Sequence, residues 1–179
     1  MASELTVQTI KGPSSGGNAN KILIPAGQEL HAPGHVVQMQ TFAMSGTGNQ
    51  STALSYVDTG LNVNITPKFA TSKILVFITQ QIGKTRTSTG VARIDTKLIE
   101  SNSNTVLAES RYEGTDNLGS GNLSSYTAQH GVFQCSSTDQ LTFKTQARPA
   151  NGVSSAAAAV FHSWYTGSVH NITALEIAS

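Results

Sequence analysis

From residue 36 to the end of the chain, apolar and polar positions alternate with a period of two, β-branched and aromatic residues are frequent, and turn-forming residues recur about every 8 to 12 positions. This pattern predicts an all-β sandwich or barrel. Strands are expected near residues 36–43, 52–58, 61–66, 73–82, 91–100, 104–112, 124–134, 140–148, 157–165 and 169–178, with turns at 58–60, 66–67, 88–90 and 101–104 and a long loop at 114–121. Across 91–98 the alternation is clean: Ala92, Ile94, Thr96 and Leu98 share one face, and Arg93, Asp95 and Lys97 the other. One face is expected to be dry and one wet. Residues 74–78 are apolar on both faces, which suits a strand covered on one side by the opposing sheet and on the other by a neighbouring subunit. The run Ala156, Ala157, Ala158, Ala159 has helical propensity but is short and runs into FHSWY, so a strand with small side chains open to close approach is the preferred assignment.

Residues 1–35 have a different texture. Two short apolar runs, one with Leu5, Val7 and Ile10 and one with Ile22, Leu23 and Ile24, flank KGPSSGGNANK, and Pro25, Pro33 and Gly34 exclude a helix through the segment. Neither run can bury itself. The segment is expected to be an extended arm needing a partner surface, with a reach of roughly 110 Å at about 3.3 Å per residue. The expected organisation is therefore an arm over 1–35 and a β-sandwich domain over 36–179.

Composition narrows the function. Only 12% of residues are charged, 11 basic against 10 acidic, whereas Ser, Thr, Asn and Gln together supply 64 of 179 residues. A net charge of +1 provides no field to hold nucleic acid or an anionic membrane, so neither is expected as a partner. A single cysteine, Cys135, excludes an intrachain disulfide and any multi-cysteine metal site. The opening MASELTV lacks the basic and apolar regions of a secretion signal, and no run approaches the ~18 apolar residues of a membrane helix. A chain made soluble in the cytoplasm is expected.

Candidate chemistry is sparse. Gly83, Lys84 and Thr85 resemble the end of a phosphate loop but lack its earlier glycine, which Ile78 replaces, and RTSTG follows where a helix should start. Asp58, Thr59 and Gly60 match a protease triplet, but Leu61 stands where a small residue belongs, and a turn is favoured. His31 and His35 are separated by Pro33 and Gly34, which prevents their alignment on a helix, and His130 and His162 have no nucleophile motif to serve. The Asn-x-Ser/Thr sequences at Asn49, Asn64, Asn122 and Asn171 follow from composition. No catalytic, cofactor or metal residue is expected, and the chain is not expected to be an enzyme. Tyr112 and Tyr126, with Asp116 in the loop between them, form the candidate host-contact site for a surface glycan.

Three segments carry a family resemblance: GHVVQMQTF at 34–42, YVDTGLNVNITPKFATSKILVFI at 56–78 and HNITALEIA at 170–178. Together they resemble a module of tailed-phage virion proteins, cyanophage ones included, found in capsid cement or decoration proteins and in tail fibre and spike tips. The opening SELTVQTI resembles the start of phage fibre and decoration proteins. The resemblance implies a jelly-roll-like antiparallel β-sandwich that forms a homotrimer on the virion. Ile74, Val76, Ile78, Ala157, Ala159 and Trp164 would then lie at the trimer interface, and Leu5, Val7, Ile10, Ile22, Leu23 and Ile24 would anchor the arm to the major capsid protein. No shaft-forming heptad or repeat is present. A cement protein on the outer capsid surface is therefore expected ahead of the alternative, a receptor-binding tip of a tail fibre or spike that adheres to host glycan.

Overall fold

The computed structural model describes residues 9–19, 21–24, 26, 32–45, 47–51, 55–86, 90–116, 121–149, 159–162 and 169–179, and of these 47–51, 84–86, 90–92, 114–116, 121–124 and 159–162 by backbone alone. The chain forms two compact units, residues 1–31 and 32–179.

In the first unit residues 14–19 form bends and a turn. Gly16 adopts φ +88°, Ala19 N–H bonds Gly16 O at 3.0 Å and Lys21 N–H bonds Asn18 O at 3.1 Å. Gly12 packs so closely on the Lys21 backbone that no Cβ would fit. Between Gly12 and Lys21 the backbone doubles back on itself. Leu5 and Val7 lie outside the described residues, and Ile10, Ile22, Leu23 and Ile24 are exposed.

Among the described residues the second unit has ten strands: β1 (Val36–Ser45), β2 (Thr47–Ser51), β3 (Val57–Ile65), β4 (Lys73–Arg86), β5 (Gly90–Glu100), β6 (Thr105–Asp116), β7 (Gly121–Gln134), β8 (Leu141–Pro149), β9 (Ala159–His162) and β10 (Val169–Ile177). They build two antiparallel sheets. Sheet A runs β1-β10-β4-β9-β2, with β7 on β4 as well, and sheet B runs β3-β8-β5-β6. Because β7 pairs with β4 along Lys73–Arg86, β10 and β9 must share the opposite edge, β10 at 73–79 and β9 at 83–84. The all-β, two-sheet expectation is met.

Several boundaries differ from the periodic pattern. Residues 58–60 are not a turn between strands but a bulge within β3, with Gly60 at φ +94° and a register shift between Asp58 and Asn62. The expected loop at 114–121 is shorter, since β6 runs to Asp116 and β7 starts at Gly121. Gly83 and Lys84 pair with Ser124 and Leu123 inside β4, so this segment is a strand and not a phosphate loop. The turn at 101–104 is as expected. It is held by Glu100, whose carboxylate accepts from the Asn102 and Ser103 amides at 2.9 and 2.7 Å and from Ser103 Oγ at 2.7 Å, while Asn104 takes the left-handed conformation at φ 55°.

Alternation along the strands sends one set of side chains between the sheets. The larger core cluster holds Phe143, Leu61, Val63, Ile65, Ile74, Val76, Ile78, Leu98, Ile172 and Ala174, and the smaller holds Ile82, Ile94 and Ala147 with Tyr112 against them. A buried polar layer separates them, because Gln80 lies between Ile78 and Ile82, Thr96 between Ile94 and Leu98, and Thr145 between Phe143 and Ala147. The layer is bonded in part, with Gln80 Nε2 and Gln129 Oε1 buried and without a hydrogen-bond partner among the described residues. Thr59 and Thr145 share a hydroxyl contact, Thr145 Oγ1 donates to Gln80 Oε1 at 2.9 Å, and Gln129 Nε2 donates to Thr96 Oγ1 at 3.2 Å and Ser110 Oγ at 2.8 Å.

Strand ends sort to two poles. Ser45 faces Val169, Arg86 faces Gly121, Gly90 faces Asp116 and Ile94 faces Pro149, which brings four inter-sheet connections to one pole. At the other pole, Gly34 N–H bonds Ala178 O at 2.7 Å and Ala178 N–H bonds His35 O at 2.9 Å. There Glu176, fully buried, accepts from Gln38 Nε2 at 2.6 Å and from the Lys68 and Phe69 amides at 2.8 and 3.2 Å. Burial opposes its charge, but these donors and Ser72 outweigh it and hold the carboxyl below the ordinary range.

Where β7 leans on β6, a Cβ on Gly131 would lie 2.6 Å from Leu107 Cβ. Gly131→Ala should therefore destabilise the domain by about 1–3 kcal/mol, measured by urea unfolding. In a Leu107→Ala background the penalty should shrink, because the two side chains compete for one volume.

Candidate functional site

The two outward faces of the sandwich differ in chemistry. On sheet B the outward residues of β5, β6 and β8 are Arg93, Asp95, Lys97, Glu109, Arg111, Glu113, Lys144, Gln146 and Arg148, placed side by side by the register, with Asp58 beside Gln146 on β3. Five of the 11 basic and four of the 10 acidic residues of the chain sit on this one face. They are largely paired: Arg93 Nε to Glu113 at 2.7 Å, Lys144 Nζ to Asp58 at 2.8 Å, and Asp95 to both Arg111 Nε at 2.6 Å and Arg148 Nε at 3.3 Å.

Asp95 is the centre of this face, with its side chain 8% exposed. The hydrogen bond from Arg111 holds its carboxyl below the ordinary range against the opposing effect of burial, with the charges of Arg111 and Arg148 adding to it. Arg148 and Lys97 also lie against the ring of Tyr56, the guanidinium carbon 4.5 Å and the ammonium 4.3 Å from its centroid. Tyr56, Asp95, Glu109, Ser110, Arg111 and Arg148 line a cavity of about 310 Å³. Burial and then the Glu109 charge push the Tyr56 hydroxyl above its ordinary value. A second hollow, of about 500 Å³, lies along β3 and β8, walled by Asp58, Asn62, Asn64, Thr142 and Lys144 among others.

Sheet A is the opposite case. Its outward residues form the cross-strand row Met39, Leu175, Leu75, Val132, with Thr41, Thr173, Phe77 and His130 in the next row. Met39 is 60%, Val132 59% and Phe77 44% exposed. Across the described outward positions of β1, β10, β4 and β7, the only lysine, arginine or acidic residue is Lys73, at the rim.

Against this geometry the sequence-based assignments change. Ile74, Val76 and Ile78, expected to face a neighbouring subunit, are 0%, 0% and 3% exposed and fill the space between the sheets. The outward residues of that strand are Leu75 and Phe77. Ala157 and Trp164 lie outside the described residues, and Ala159 is described by backbone alone, paired in β9 with Ser51 and Lys84. Tyr112 and Tyr126 do not form one platform, since Tyr112 packs inward against Ile82, Ile94 and Ala147 whereas Tyr126 stands opposite Gln81 and is 60% exposed. The Asp116 backbone ends β6, and its side chain is outside the description. The Tyr56 cavity went unrecognised because its residues come from four separate segments. The one local signal was the charged face of 91–98. Among the described residues no three of His, Cys, Asp and Glu come together as metal ligands, and no helix is long and apolar enough to cross a membrane. Cys135 is buried, and burial followed by the Glu176 charge pushes its thiol up to about 11.

Asp95, Glu100 and Glu176 all have depressed folded-state values. Their stabilisation is therefore complete above the unfolded carboxylate pKa, near 4, and is lost as pH falls through the lower folded values. The urea midpoint should hold from neutral pH to about 5 and fall steeply below about 4. Asp95→Asn should cost about 1–3 kcal/mol at neutral pH by leaving two guanidinium groups without their carboxylate, and should reduce the steepness of the acid limb.

No family model and no curated protein matches the chain. Among solved structures, a chain of dimeric latent PorU from Porphyromonas gingivalis aligns at 13% identity with a TM-score of 0.40, covering 89% of this chain and 15% of that one. A chain of infectious bursal disease virus, Gx strain, aligns at 12% identity with a TM-score of 0.32, covering 90% of this chain and 44% of that one. This chain thus spans well under half of the first and less than half of the second.

Proposed function

We propose that this protein is a structural component of a tailed-phage virion, a trimeric cement protein on the outer capsid surface anchored by its N-terminal arm. The observation that carries the proposal is the outward face of sheet A. Four strands about 4.8 Å apart and some seven residues of about 3.3 Å give this face an area on the order of 400 Å². Patches of that size on single chains commonly mark interaction sites, and low charge with exposed Met, Phe, Val and Leu is the composition of an interface core. The trimer interface is reassigned accordingly to Met39, Leu75, Phe77, Val132 and Leu175.

Strand order supports the jelly-roll assignment. With the short β2 and β9 set aside, the sheets are β1-β10-β4-β7 and β3-β8-β5-β6. Early and late strands alternate within each sheet, which is the nesting of two Greek keys. The threefold order and the virion location rest on the resemblance over residues 34–178. The arm follows from size: a partner in a stable complex contributes roughly 800 Å², about twice what the sheet face offers, and exposed Ile10, Ile22, Leu23 and Ile24 supply further apolar surface. Clamped between capsid subunits, the arms would stabilise the assembled shell by mass action.

Two experiments separate the parts of this proposal. Deleting residues 1–30 should leave a folded trimer that no longer decorates heads; undiminished occupancy would overturn the anchoring role. Phe77→Asp combined with Val132→Asp should convert the trimer into a folded 18.8 kDa monomer by light scattering, and a persisting trimer would remove sheet A from the interface.

A further inference from the structure

We infer that the Tyr56 cavity on the outward face of sheet B is a binding site for an acidic monosaccharide unit, a sugar ring bearing a carboxylate. The inference is independent of whether the protein sits on the head or the tail, and it differs from the sheet A interface in location and chemistry.

The cavity, about 310 Å³, falls at the small end of ligand sites, about 300–1,000 Å³, so it suits one ring and not a chain. Its walls carry both signs. Arg111 spends Nε and Nη2 on Asp95, at 2.6 and 3.2 Å, and its Nη1 has no partner among the described residues. Arg148 uses Nε on Asp95 at 3.3 Å. Asp95 thus holds both guanidinium groups from one side, both residues line the cavity, and Arg148 also hydrogen-bonds the Tyr56 hydroxyl. These are donors already positioned for a single carboxylate.

Opposite them is an acceptor left uncompensated. Glu109 stands across from Lys97 in the β5–β6 register, where an ion pair is the ordinary outcome, yet Lys97 lies instead on the Tyr56 ring and Glu109 has no hydrogen-bond or ion-pair partner among the described residues. An exposed carboxylate at the rim of a cation-lined cavity accepts hydroxyl donors. A ligand matching both walls carries one carboxylate and adjacent hydroxyls.

Other ligand classes fit worse. A phosphate or polyanion would place two or more charges against Asp95 and Glu109. A neutral sugar normally stacks on an aromatic face, but Lys97 and Arg148 already lie over the ring of Tyr56, so the ring is in part taken up by cations. The carboxylate is what makes the site selective.

The test titrates the full-length protein with methyl glucuronide and the methyl glycoside of N-acetylneuraminic acid, with methyl glucoside and N-acetylaspartate as controls, following the arginine Nε–H resonances by NMR. Saturable shifts of Arg111 and Arg148 are expected with at least one sugar acid at millimolar concentration, and binding should be roughly tenfold weaker for methyl glucoside. Arg111→Ala and Glu109→Gln should each weaken binding by about fivefold or more. The exposed position of Glu109 keeps the second variant folded, which its melting curve will verify. Equal binding of methyl glucoside, no shift with either acid up to about 10 mM, or no effect of Glu109→Gln would overturn the proposal. N-acetylaspartate binding as tightly as the sugar acids would overturn the assignment to a sugar.

Discussion

Fourteen residues of β4 are hydrogen-bonded along one edge to β7 and along the other to β10 and β9. A strand paired on both edges cannot slip by one residue without exchanging its two faces. On β4 such a slip would bring Leu75, Phe77 and Thr79 inward and expose Ile74, Val76 and Ile78. The core therefore fixes which residues are displayed, and the apolar row on the outside of sheet A follows from the register that fills the inside.

The buried polar layer reinforces that register. Gln80, Thr96, Thr145 and Gln129 meet at one level between the sheets, and their bonds are directional where the apolar clusters on either side are not. A displaced strand would leave these groups buried without partners, at a cost of about 1–3 kcal/mol each. Interdigitating aliphatic side chains tolerate small shifts, whereas amides and hydroxyls in a dry interior do not. The two kinds of core thus divide the work, one supplying cohesion and the other alignment.

Much of the architecture was legible from the alternation of side chains, because a period of two reports a half-buried strand directly. Strands β5, β8 and β10 lie within a residue or two of their expected bounds. Gly60 misled because a glycine after Asp and Thr reads equally as a turn or as a bulge, and pairing with β8, many residues away, decides between them. Ile74, Val76 and Ile78 misled differently: a strand apolar on both faces does not disclose which set the fold will bury. Tyr56 and Arg148 are 92 positions apart, and only the closing of sheet B brings them to one cavity. Local pattern thus revealed the elements, and long-range pairing determined the surfaces.

The grouping of four inter-sheet connections at one pole has a consequence for how such a chain can diverge. Insertions between Ser45 and Val57, Arg86 and Gly90, Asp116 and Gly121, or Pro149 and Val169 would lengthen the molecule at that pole and leave both sheet faces unaltered. The glutamate-centred closure, where Gly34 and His35 meet Ala178, lies at the opposite pole. Change in the four connections is thereby decoupled from both outward sheet faces, so the contour at their pole can alter while the chemistry of the two faces stays as it is.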